Sequence, residues 1–209
     1  MLINIVDEEG YTFVDSVLEG KEEAITYPTV FANVNILPSR LDLATTEKNI
    51  LISPKAQHNR LYKGIKGIMK QYDFIIIDCP PSLNILTINA LTAADTVLVP
   101  IQCEYYALEG LNQVLKTVDL VKRKLNPELE LEGVVFTMYD ARTNLSLEVV
   151  ESVKSSLNRT IYKTIIPRNV RLAEAPSHGM SINLYDSRST GAESYRMLAA
   201  EVMSRGEEL

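Results

Sequence analysis

Glycine is scarce in this chain, with nine residues in 209. A glycine-rich phosphate loop needs Gly, four residues, then Gly-Lys-Ser/Thr, so that successive backbone N–H groups can wrap the phosphates. The one Gly-Lys pair is Gly20-Lys21, with Asp15 five residues ahead of Gly20 and Glu22 in the Ser/Thr place. It fails at both ends. Cysteine is as thin: Cys79 and Cys103 have no metal-type spacing, and only His58 and His178 are there to join them. A zinc site or a disulfide framework is therefore excluded, and reduced thiols in a cytoplasmic protein are expected. No apolar run approaches the roughly 20 residues of a membrane span. The opening "MLINIVDEEG" has no basic region and no cleavage site, so no secretory signal is expected.

Positive charge is also short. Twenty-one basic residues face 27 acidic ones, a net charge of −6, which argues against whole-surface attraction to nucleic acid or anionic lipid. The distribution is uneven, however. From Ser152 to Ala173 the chain holds Lys154, Arg159, Lys163, Arg168 and Arg171 and no acidic residue. That stretch is either a solvated face or a local patch for phosphates.

What is present is alternation. Short apolar runs read as strands at 34–39, 74–78, 96–101, 131–140 and 161–169, and "SINL" (181–184) looks strand-like. Between them lie helical patterns. The clearest is "ALEGLNQVLKTVDLVKRKL", with apolar residues at 108, 111, 114, 115, 118 and 121 on one stripe and Asn126-Pro127 as its stop. "LYKGIKGIMKQY", "NILTINALTAAD", "LSLEVVESVKSSL" and "GAESYRMLAAEVMSR" follow the same spacing, and "EEGYTFVDSVLEGKEEAI" reads as a short helix with charged turns. Strands alternating with helices predict βαβ crossovers and an α/β fold, a mainly parallel sheet with helices on both faces. Residues 1–209 are expected to form a single domain. Ligands in such sheets bind beyond the carboxyl ends of the strands.

One strand end is peculiar. In "YDFIIIDCPPS" (72–82), Phe74 to Ile77 run directly into Asp78, and a Cys-Pro-Pro turn follows. A buried strand ends this way when its last carboxylate must reach Mg²⁺ beside a nucleotide phosphate, although aspartate after an apolar strand is common without any ligand. Such a Walker B strand normally works with the phosphate loop that is missing here.

The stretch "YDFIIIDCPPSLNILTINALTAADTVLVPIQCEYYALEGLNQVLKTVDLV", with "VVFTMYDART" and "IPRNVRLAEAPSHGMSI", resembles the ParA/Soj chromosome- and plasmid-partitioning ATPases, relatives of MinD. "YTFVDSVLEGKEEAI" and "VNILPSRLDLATTE" match the segment after that family's second strand. The resemblance implies a deviant Walker P-loop NTPase fold. The family opens with a strand, a Lys-Gly-Gly-x-Gly-Lys-Thr loop, a helix and a strand ending in Asp-x-Asp-Pro. None of these stands in the present sequence, so the expectation is an N-terminally incomplete domain that does not hydrolyse ATP alone.

The same resemblance implies site residues. Asp78 would be the catalytic carboxylate, holding the water shell of Mg²⁺ or orienting the attacking water, and Pro80, Pro81 and Ser82 would sense the γ-phosphate as a switch. Pro167 through its backbone and Asn169 through its side chain would read the adenine edge, and Met138 either flanks the base or packs in the core. Arg168, Arg171, Lys154 and Arg159 are the candidates for non-specific DNA contact. The implied ligands are ATP and Mg²⁺. The implied partners are a second copy on ATP binding, nucleoid DNA and a ParB-type stimulating protein. The "EYYALEG" segment (104–110) reads as an interface or simply a helix start. The acidic ending "EVMSRGEEL" speaks against a membrane-bound, MinD-like division regulator. A non-catalytic interaction protein that pairs with a full-length relative is the alternative from another class.

Overall fold

The computed structural model describes residues 14–20, 23–39, 43–52, 58–157 and 161–206. They gather into two compact units, one on 97–116 and 131–206, the other on 14–96 with 117–130.

The first unit is built on a three-stranded parallel sheet ordered β3 (Thr96–Gln102), β4 (Glu130–Tyr139), β5 (Ile161–Pro167). Helix α5 (Ala107–Lys124) connects β3 to β4, and α6 (Asn144–Ser156) connects β4 to β5. These are the helical crossovers that parallel neighbours require. Both faces of β4 are buried. Val134 and Phe136 pack with Leu111 of α5 and with Val149, Val150 and Val153 of α6. Val135, between them, points the other way and joins Tyr162, Ile166 and the partly buried Leu198 and Val202 of α9 (Thr190–Gly206). A strand covered on both sides reads as the continuous apolar run seen in the sequence.

β5 is the outer strand of this order, and its register against β4 is broken. Val134 pairs with Ile161 and Phe136 with Ile165, so four residues of β5 span what two residues of β4 span. The N–H groups of Lys163 and Thr164 turn to the Glu201 carboxylate on α9 (2.8 and 2.9 Å), and the Thr164 hydroxyl joins them at 2.8 Å. One turn on, Arg205 donates to Glu201 (2.7 Å) and Ile161 O (3.2 Å) and lies 3.9 Å from the centre of the Tyr162 ring. Helix side chains thus satisfy a sheet edge that would otherwise offer free donors.

The second unit packs α1 (Val14–Glu19), α2 (Leu43–Ile52), α3 (Arg60–Ile65) and α4 (Ile85–Ala93) around Val17, Leu18, Ile50, Leu61, Ile65, Leu86 and Ala90. A two-residue antiparallel ladder, β1 (Tyr27–Pro28) with β2 (Asn35–Ile36), lies beside them in sequence. Asn84 caps α4 by accepting from Leu86 N and Thr87 N. Asn126 donates to the carbonyls of Leu91 and Ala94 at the other end of α4 (3.2 and 2.8 Å).

Three expected strands differ. Residues 74–78 carry no ladder, with Phe74 61%, Ile75 41% and Ile76 92% exposed. A parallel strand exists only through bonds to a neighbour, and among the described residues none pairs with it. The expected strand 34–39 shrinks to the two residues of β2 and is antiparallel. "SINL" is helical: α8 (Ile182–Tyr185) forms instead, held by Ser181 O accepting from Leu184 and Tyr185.

Candidate functional site

β4 and β5 end side by side, with Tyr139 opposite Pro167 and Arg168 N donating to Tyr139 O at 2.8 Å. Just before that pair, Met138 has a φ of 55°, and the ladder slips between Phe136 and Tyr139. A left-handed backbone at an unbranched non-glycine residue stores strain of about 1–3 kcal/mol, and such outliers cluster at ligand sites. Met138 is 37% exposed, so it does not pack as core.

β5 stops because Pro167 is followed, two residues on, by Asn169, an N-cap. Its Oδ1 accepts from Arg171 N (2.8 Å) and Leu172 N (3.3 Å) and starts α7 (Val170–Glu174). Its Nδ2 donates to Thr190 Oγ1 at 2.8 Å. Asn169 is half-buried, Arg168 exposed. The Arg168 guanidinium reaches Glu104 at 3.5 Å, and Arg171 pairs with Glu174 (2.9 Å) and Asp186 (3.6 Å). Glu174 also accepts from the Tyr185 hydroxyl (3.0 Å), and Tyr185 stacks on His178 with centroids 4.9 Å apart. Hydrogen bonds from Arg171 and then Tyr185 hold the Glu174 carboxyl below its ordinary range.

Asp140, the next residue of the β4 end, is occupied locally. Arg142 grips its carboxylate at 2.9 and 2.7 Å and adds its backbone N–H at 3.0 Å, which holds Asp140 far below the usual carboxylate range. It organises the turn into α6 and is not aimed at a ligand.

The candidates therefore fall in two places. Met138, Pro167, Arg168 and Asn169 come together at adjacent strand ends, with Arg171 just beyond them. Lys154 is exposed in the last turn of α6, and Arg159 lies outside the described residues. Asp78 belongs to the other unit and is exposed, with Pro80 half-buried and Pro81 and Ser82 exposed. Ser82 O accepts from the Thr87 hydroxyl at 2.6 Å, which ties residues 80–82 to the first turn of α4. Sequence reasoning missed Glu104 and Thr190 as partners of Arg168 and Asn169, and no periodicity signals either. Tyr105 and Tyr106, edge to face at 5.1 Å and 79% and 73% exposed, precede α5.

Among the described residues no group of three or more His, Cys, Asp or Glu side chains is placed to hold a metal ion. Mg²⁺ needs less than that, one or two carboxylates plus phosphate oxygens and water. The strand ends of the first unit supply polar groups for a base, which fits a nucleotide's purine. A cradle of backbone N–H groups for the phosphates is not among the described residues. No helix among them is long and apolar enough to cross a membrane.

A family model described as an AAA domain matches residues 4–131. The sporulation initiation inhibitor protein Soj of Bacillus subtilis is 54% identical over 178 residues, 85% of this chain and 70% of that protein. The chain belongs to the ParA/Soj family of chromosome-partitioning ATPases. The chromosome partitioning protein ParA of Myxococcus xanthus is 47% identical over 88% of this chain, which spans 64% of that ParA. Among solved structures, cobyrinic acid a,c-diamide synthase from Mycobacterium smegmatis with bound ADP and magnesium superposes with a TM-score of 0.78 at 32% identity. It covers 94% of this chain, which spans 73% of the synthase. The ParA/Soj assignment and the parallel sheet flanked by helices agree with what the sequence leads one to expect.

Proposed function

We propose that this chain is a single nucleotide-binding ATPase domain of a ParA/Soj-type partitioning system. Pro167 and Asn169 read the adenine, with Met138 beside it. Asp78 serves Mg²⁺ and water, and Pro80 to Ser82 sense the γ-phosphate. With ATP bound, the protein pairs with a second copy and holds nucleoid DNA through Arg168, Arg171, Lys154 and Arg159. A ParB-type partner then stimulates hydrolysis, which works by positioning and charge stabilisation. The observation that carries this reading is the convergence of Met138, Pro167 and Asn169 on adjacent strand ends, in a chain 54% identical to Soj over 178 residues.

The test is equilibrium binding of Mg-ATP to the purified chain, with Asn169→Ala beside it. Binding that Asn169→Ala weakens supports the base site. Binding that this variant leaves untouched removes Asn169 from it.

A second reading has its own support. Asp78 sits on a segment that pairs with no strand among the described residues. That placement favours a non-catalytic interaction protein that pairs with a full-length relative. ATP turnover by the purified chain, abolished by Asp78→Ala, would remove this second reading. Co-elution with such a relative and no turnover would favour it.

A further inference from the structure

The nucleotide reading turns on Asn169, and both ends of its amide are held. Oδ1 faces two backbone N–H groups, of Arg171 and Leu172, while Nδ2 donates to the Thr190 hydroxyl oxygen at 2.8 Å. Backbone N–H groups need a carbonyl oxygen opposite them, so the hydrogen-bond network fixes the amide's orientation. Nδ2 carries two hydrogens. Thr190 takes one, and the other is the group's remaining donor.

We propose that Thr190 is a positioning residue for base recognition: with the α7 cap, it locks Asn169 as a hydrogen-bond donor toward an acceptor nitrogen of adenine. The inference rests on the base-site reading above. An amide torsion is otherwise broad and roughly two-fold, and ordering it on binding would cost affinity. Here the ordering is done before any ligand arrives, and the anchor is the first residue of the long helix α9 rather than a loop tip. The chemistry also selects. On the Watson–Crick edge, adenine N1 accepts a hydrogen bond, whereas guanine N1 carries a proton. A donor facing that atom accepts adenine and leaves two opposed donors with guanine.

Thr190→Val removes the hydroxyl and keeps the shape, and Thr190→Ser keeps the hydroxyl. Equilibrium dialysis of the whole chain with Mg-ATP and Mg-GTP reads the affinity ratio. Thr190→Val is expected to lose about threefold to tenfold in ATP affinity, the worth of one neutral hydrogen bond, with GTP unchanged, and Thr190→Ser to restore it. A purely structural threonine would shift the melting temperature and leave the ratio alone, so an unchanged ratio overturns the inference. In the nucleotide-free chain, the Asn169 side-chain NH₂ signals should exchange with water faster in Thr190→Val than in wild type or Thr190→Ser. Equal rates overturn the lock directly. If the wild type binds neither nucleotide, the base-site reading itself has failed, and this inference goes with it.

Discussion

Arg168 and Arg171 are two of the four cations on which the proposed DNA contact would depend, and each already faces acids. Glu104 stands 3.5 Å from Arg168, and Glu174 stands 2.9 Å from Arg171. Exposed pairs of this kind are worth about 0–1 kcal/mol, so a phosphate can displace the acid with little loss. Arg168→Ala combined with Arg171→Ala is expected to weaken DNA retention and lower the salt slope by up to about 2. Glu104→Gln, which frees Arg168, should strengthen retention. A slope unchanged in both variants would take these arginines out of the interface. Glu201 supports a second prediction at this scale. Burial works to raise its pKa, but the N–H groups of Lys163 and Thr164, the Thr164 hydroxyl and Arg205 outweigh burial and hold it below the ordinary value. A carboxyl whose folded pKa is depressed stabilises the fold above the unfolded pKa. That contribution is lost as pH falls through the folded value. Glu201→Gln should therefore cost about 1–2 kcal/mol near neutrality in denaturant melts, and the difference from wild type should shrink below about pH 4. A constant difference across pH would mean that the charge plays no part.

At the scale of elements, α3 shows how one helix completes another. Asn59 occupies its N-cap but makes no side-chain bond to the helix. The donors are met from α4, where fully buried Asn89 accepts from Arg60 N (2.9 Å) and Leu61 N (3.3 Å) and donates to Ile85 O (2.9 Å). Asn89→Ala leaves buried N–H groups unpaired and is expected to cost about 1–3 kcal/mol, read as a lowered urea midpoint with an unchanged slope. Neutrality would show that water replaces the side chain. A different constraint joins α3 to α1, because a β-carbon at Gly64 would run into the Val17 side chain. The long helices α5, α6 and α9 were legible in the sequence because their apolar stripes repeat over three or more turns. α2, with Thr45, Thr46 and Ile50 in a mixed run, shows no such stripe and was not anticipated. α7 and α8 span 5 and 4 residues, too short for a period to declare itself. The Asn169 cap was the available signal for α7.

For the chain as a whole, the consequential feature is the exposed apolar segment at 74–76. Phe74, Ile75 and Ile76 are exposed, an apolar edge that pairs with no strand among the described residues. Such edges recruit other strands. The purified chain is expected to self-associate in a concentration-dependent way, and Ile76→Lys should reduce the apparent mass in light scattering while leaving the circular dichroism spectrum intact. Equal masses would show that the segment is not the sticking edge.

Of the candidate site, the sequence alone was enough to place Met138, Pro167 and Asn169 at strand ends, since an apolar run ending in Pro or Asn marks where a parallel strand stops. It was enough, too, for the α/β class and for strands at β3, β4 and β5 with helices between them, because period and length are local properties. What each polar side chain touches was decided only in three dimensions. Glu104 meets Arg168 across 64 residues, and Thr190 meets Asn169 across 21. Strandhood at 74–78 was decided there as well. Residue type supplies the propensity for an extended backbone, but a strand is a relation between two segments, and hydrogen bonds to a neighbour are not written in either one.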